Sequence, residues 1–117
     1  MNKENIILTK SFSFAIEVVR FYQYLSREKK EFVLSKQLLR SGTSIGANIH
    51  EAQGAHSKKD FLSAMTIAYK EAKELFYWIL LIESTIIKSE ETQILKERCE
   101  ELLKILSKIK QTIKIAI

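Results

Sequence analysis

No proline occurs in this chain, and its three glycines, Gly42, Gly46 and Gly54, crowd into one short stretch. Outside that stretch there is no strong turn punctuation, which a sheet protein of 117 residues would need in quantity. What the chain has instead is helical periodicity. Phe61, Met65, Ala68, Ala72, Leu75, Ile79, Ile82 and Ile86 recur at alternating spacings of four and three. Leu95, Cys99, Leu102, Leu106, Ile109, Ile113 and Ala116 repeat the pattern in the last segment. An early segment carries Ala15, Val18, Tyr22 and Leu25, with Phe14 and Phe21 widening the face. Stripes of this kind pack helical bundles.

The stretch from Arg40 to Asp60, RSGTSIGANIHEAQGAHSKKD, is rich in residues that favour turns. Its periodicity nevertheless reads as helix. Leu34, Leu38, Ile45, Ile49 and Ala52 share one face. Gln37, Ser41, Ser44, Asn48 and Ala55 form a second stripe beside it, with Glu51 at its outer edge. The spacing predicts a helix up to about Gln53, ending near Gly54. Small residues at Ser41, Gly42, Ser44 and Gly46 let a neighbouring backbone approach. That packing must recover the roughly 1 kcal/mol of helix propensity lost at each glycine. Ser57 followed by Asp60 fits the start of a third helix, and Ser89 before Glu90 and Glu91 the start of a fourth. Arg27 to Glu31 is the expected first connection. All three connections are short, so consecutive helices should run antiparallel, and at 117 residues the chain should form a single domain, 1–117. The expected fold is all-α, an up-down-up-down antiparallel four-helix bundle.

Catalytic and metal motifs are missing from this sequence. There is no P-loop, no G-x-G-x-x-G, no G-x-S-x-G and no Cys/His metal spacing. Glu71 and Glu74 share a helical face and could serve as acid and base, but no histidine or cysteine stands beside them at ligand spacing. The competing reading makes them part of a polar network of Arg40, Ser41, Ser44, Asn48, Glu51, Glu71 and Glu74, with Arg40 as the counter-ion. His50 and His56 cannot face one metal from a single helix, and both are expected at the surface. Cys99 falls on a core position, as a small buried hydrophobe. No enzyme activity, metal or cofactor is expected. A lone cysteine, no secretory leader, and a longest apolar run of only Leu75 to Ile82 predict a cytoplasmic protein without a membrane span.

Two surface features bear on partners. The third segment is apolar over a wide arc, with Leu62, Tyr69, Phe76, Trp78 and Leu80 outside its stripe. A subunit interface or simply a thick core would account for them. The formal charge is +5, and the positive residues cluster. Lys104, Lys108, Lys110 and Lys114 follow Glu101 with no acid among them, where they also complement a helix C-terminus. Lys58 and Lys59 sit at a helix N-terminus, where the dipole disfavours cations. A bound phosphate would reconcile them with that end; solvated lysines balanced by Asp60 are the alternative. Lys36 and Arg40 could extend this patch.

The runs QLLRSGTSIGANIHEA, SKKDF and YKEAKELFYWILLI resemble the bacterial four-helix-bundle family of proteins encoded in intervening sequences of 23S rRNA genes, also called the S23 ribosomal protein family. The matching positions are Gln37, Arg40, Ser41, Ser44, Ile45, Asn48, Glu51, Ser57, Asp60, Phe61, Glu71, Glu74 and Trp78. The resemblance implies a four-helix bundle assembled as a ring-shaped homo-oligomer, a homopentamer. The family is also similar to the accessory protein of diversity-generating retroelements, a basic pentameric barrel that associates with a reverse transcriptase and nucleic acid. The expectation is a non-catalytic accessory protein that holds RNA or DNA phosphates through Lys36, Arg40, Lys58, Lys59, Lys104, Lys108, Lys110 and Lys114. The alternative is a protein–protein scaffold, for example for a reverse transcriptase or another polymerase.

Overall fold

The computed structural model describes residues 3–117. Four helices account for most of it: α1 (Lys3–Arg27), α2 (Leu34–Ala52), α3 (Lys58–Thr85) and α4 (Glu90–Ala116). No strand occurs among the described residues. The four pack as a bundle about 46 Å long. Residues meet across neighbouring helices in opposite numerical senses. On α1 and α4, Lys10 pairs with Glu101 and Glu17 with Arg98. Between α1 and α2, Val18 lies against Gly42 and Ser11 against Gly46.

The predicted stripes line the interior. Met65, Ala68, Ala72, Leu75, Ile79 and Ile82 of α3 are buried, as are Leu95, Cys99, Leu102, Leu106 and Ile109 of α4. On α2, Leu38, Ile45, Ile49 and Ala52 are buried and Leu34 packs beside them. The α1 register differs from the expected one. Its face is centred on Ile7, Ser11, Phe14, Val18, Phe21 and Leu25, while Ala15 and Tyr22 lie at its flanks. Ser11 is tolerated inside because its hydroxyl donates to the Leu8 carbonyl at 3.1 Å. It also keeps α1 slim where Gly46 approaches.

Each helix start has its own chemistry. The Ser57 hydroxyl accepts from the Asp60 amide at 3.1 Å. Ser89 and Thr92 cap one another reciprocally at the head of α4. Helix α2 starts behind Val33, which has no capping side chain. Glu31 supplies the acceptor instead, taking the amides of Val33, Leu34 and Ser35 at 3.1, 3.1 and 2.7 Å. Burial would raise the pKa of Glu31, but these amide bonds outweigh it and hold the carboxyl below its ordinary value. Lys30, at φ 55°, turns the chain in the left-handed region so that Glu31 can reach back.

Gly42 lies directly against the Val18 side chain of α1. A Cβ there would lie 2.5 Å from Val18 Cγ1 and 2.8 Å from Cγ2. Gly42→Ala should therefore destabilise the protein by about 1–2 kcal/mol, the overpacking exceeding the propensity gained. Val18→Ala removes both methyls, so the double substitution should cost less than the two single ones together. A denaturation double-mutant cycle reads that coupling. Strict additivity would mean that the two side chains do not compete for the same space.

Candidate nucleic-acid interface

The site begins with how α3 sorts its charges. Its central run, YKEAKE from Tyr69 to Glu74, holds two lysines and two glutamates that cancel formally. In the fold they separate. The Arg40 guanidinium reaches from α2 to Glu71, 3.2 Å away, and to Glu74. The Trp78 indole N–H donates to the same Glu74 oxygen at 3.0 Å. Both acids are thus turned towards α2 and neutralised there. Arg40 is half exposed, so each pair contributes little to stability, on the order of 0–1 kcal/mol. Its larger effect is on the field: with Glu71 and Glu74 held by Arg40, Lys70 and Lys73 are left without an ion-pair partner among the described residues.

Next to Lys70, α3 meets α4. Lys110 lies with its Nζ 4.4 Å from the centroid of the Tyr69 ring, a cation–π contact. Burial lowers its pKa, and the nearby charges of Lys114 and Lys70 lower it further. Lys70, Lys110 and Lys114 therefore form one electropositive cluster, with Lys110 feeling the charge of both others. At its other end, Lys73 and Glu100 both act on the buried Cys99 thiol, so an acid borders the cluster there. Burial pushes that thiol up to about 12, and it donates to the Ala72 carbonyl at 3.2 Å. Cys99 is thus a packing residue with a satisfied S–H.

The eight cations expected to hold phosphates do not form one surface. Lys36 stands near the start of α2 and Lys58 opens α3, beyond the end of α2. At 1.5 Å per residue the length of α2 separates them by about 24 Å. Arg40 already has two carboxylate partners. Lys36, Lys58, Lys59, Lys104 and Lys108 are exposed. None of these five makes an ion pair with a described carboxylate, nor do Lys110 and Lys114.

The expected polar network is also divided. Arg40, Glu71, Glu74 and Trp78 form its cross-helix part. Ser41, Ser44 and Asn48 bond instead within α2, to the carbonyls of Gln37, Ser44's own Arg40 four residues back, and Ser44 respectively. The i−4 carbonyl is always in reach of a short polar side chain on a helix, so these groups need no partner helix. Glu51 is exposed. His50 and His56 are exposed as well, and among the described residues no group of three His, Cys, Asp or Glu could hold a metal ion. No described helix is long and apolar enough to cross a membrane.

Of the expected interface residues, Tyr69 and Phe76 pack against the core, and Leu62 and Trp78 are half-buried. Leu80 is exposed. A further exposed apolar ridge lies on α1, where Phe12 is 70% and Ile16 40% exposed. An apolar groove between α1 and α2 runs beside Phe12, lined by Leu8, Ala15, Thr43 and Ala47.

No curated protein matches this chain. A solved structure does: the crystal structure of a protein of unknown function from the S23 ribosomal protein family of Bacteroides thetaiotaomicron VPI-5482. The two superpose with a TM-score of 0.91 at 44% identity, over 94% of this chain and 99% of that one. The family model of the 23S rRNA-intervening sequence protein matches residues 3–108. With nearly the whole bundle inside that match, the chain belongs to the 23S rRNA-intervening sequence protein family.

Proposed function

We propose that this protein is a non-catalytic, cytoplasmic accessory factor that holds RNA or DNA by its phosphates, with little sequence specificity. The observation that carries this is the set of lysines without carboxylate partners, above all Lys70, Lys110 and Lys114 gathered beside one another. A surface that keeps like charges together loses stability unless an anion offsets them. Phosphate contacts position a nucleic acid without reading bases, and no groove-reading motif stands in the sequence.

The fold in this reading is an up-down-up-down antiparallel bundle, and five copies close into a ring. The opposite numerical senses of the helix pairs support the topology. The exposed α1 ridge at Phe12 and Ile16 supports self-association, as does the groove beside it. Five copies at +5 each would carry about +25, multiplying the attraction to a polyanion. The same ridge favours a second reading, a scaffold for a protein such as a reverse transcriptase.

Binding of labelled, mixed-sequence RNA, titrated with salt on material of known assembly mass, separates the two. Affinity of about micromolar with a steep negative salt slope is expected. Lys58→Glu with Lys59→Glu should weaken unrelated sequences about equally, and unchanged affinity would remove those lysines from the interface. No binding at low salt by an intact oligomer would leave the scaffold.

A further inference from the structure

We infer that the outer ridge of α3 is a stacking platform for single-stranded nucleic acid, with Tyr77 receiving a base and Lys70 and Lys73 holding the adjoining phosphates. This rests on the phosphate-contact reading and adds to it which form of nucleic acid is preferred.

Ile67, Lys70, Lys73, Tyr77 and Leu80 are all exposed on α3. At about 100° per residue they fall within one sector of the helix. Lys70 and Tyr77 stand two turns apart, about 10 Å along the axis, a reach suited to neighbouring nucleotides of one strand. Tyr77 is 57% exposed, and its ring meets Trp78 edge-on, with centroids 5.2 Å apart and planes at 69°. An edge contact steadies a ring while leaving a π-face uncovered. Tyr69, the other aromatic beside these lysines, is already covered by Lys110. Tyr77 is thus the ring of this cluster that is available to a base.

Of the acids of α3, Glu71 faces α2 and Glu74 stands one turn from Lys70, and Arg40 offsets the charge of both. Lys110 and Lys114 extend the positive surface beyond Lys70, so a strand can continue onto α4. Duplex bases are stacked on one another and present no free face to a flat ridge. Unstacked bases do, and stacking on an aromatic tolerates any sequence. Ile67 and Leu80, 46% and 44% exposed, give apolar borders to the platform.

The test compares a mixed-sequence single-stranded RNA with the duplex formed by adding its complement, at fixed salt. Wild type should bind the single strand at least about tenfold more tightly. Tyr77→Ala should cut single-strand affinity by about 5- to 100-fold, as loss of one stacked base implies, and leave duplex affinity and the salt slope unchanged. Tyr77→Phe should retain the preference. Trp78 is the only tryptophan, and its fluorescence should change with the single strand and not with the duplex. Lys70→Gln with Lys73→Gln should weaken both RNAs, because it removes phosphate contacts. If Tyr77→Ala leaves single-strand affinity intact, or weakens both RNAs equally, the platform is overturned while the phosphate reading stands. If wild type binds neither RNA at low salt, both fall together. Tyr77 is exposed, and unchanged circular dichroism of the variants keeps the comparison clean.

Discussion

Glu83→Ala should destabilise the protein by about 3 kcal/mol, the largest effect expected of any single polar substitution here. Glu83 sits near the end of α3 with its side chain only 8% exposed. Lys96 of α4, itself 16% exposed, pairs with it at 2.9 Å. The Thr92 hydroxyl, fully buried, donates to its other oxygen at 2.7 Å. That hydroxyl also accepts the Ser89 amide at 3.0 Å, so the carboxylate anchors the capping box of α4. Removing it leaves the largely buried Lys96 ammonium without its acceptor, while the Thr92 hydroxyl keeps only the Ser89 carbonyl, at 2.9 Å. The expected loss corresponds to about 10–20 °C in Tm for a domain of this size. Lys96→Met added to Glu83→Met should recover most of it, because two apolar groups replace a pair that was costly to bury. If Glu83→Ala proves neutral, water has taken over the Lys96 ammonium and the junction is not a sealed one.

The same residue has a pH signature. Burial pulls the pKa of Glu83 upward, but the hydrogen bonds from Lys96 and Thr92 outweigh it, and the charges of Lys96 and Lys88 add to them. Its folded pKa is therefore depressed. The stability it contributes is fully present above its unfolded pKa, about 4.3. It is lost as pH falls through the lower folded value. Urea midpoints for wild type and Glu83→Gln should converge only once pH has fallen below that depressed folded value, where both side chains are uncharged.

How far such features were legible depends on whether they are local. The stripes of α3 and α4, and the helical reading of the serine- and glycine-rich α2, follow from spacing alone. So do the Ser57 and Ser89 caps. Arg40 with Glu71 and Glu74 was legible because two carboxylates at i and i+3 must share a face. The remainder required the third dimension. Ser41, Ser44 and Asn48 look like a cross-helix network in one dimension, yet each finds an acceptor on its own helix. Thr92 reads as an ordinary helix position until Glu83, nine residues away, is placed beside it. Lys70 and Lys73 give no charge signal in the sequence, because KEAKE is neutral as a string. Only the pull of Arg40 on the two glutamates separates its charges. The wide apolar arc of α3 was ambiguous for a similar reason. Tyr69 and Phe76 turn inward, and no count of apolar residues could have shown that.

Replacing Lys70, Lys110 and Lys114 together by glutamine should weaken RNA binding by about 100-fold near 0.1 M salt. Each phosphate contact to a single strand contributes about 0.7 to the slope of log affinity against log salt. Three lost contacts make the slope shallower by about 2, which at that salt amounts to two decades. The fold should tolerate the change. Lys70 and Lys114 are exposed, and the substitution removes a half-buried ammonium at Lys110 together with the like charges beside it. Stability should hold while affinity falls, the opposite of what a damaged bundle would give. The control removes the same charge elsewhere, by Lys29→Gln, Lys30→Gln and Lys88→Gln, three exposed lysines in the connections between helices. This control should bind nearly as wild type does. If the connection triple loses as much affinity as the cluster triple, net charge alone draws the RNA and the placement of Lys70, Lys110 and Lys114 has no part in it. If only the cluster triple fails, the sorting of charge across α3 is what makes this bundle a phosphate-binding surface.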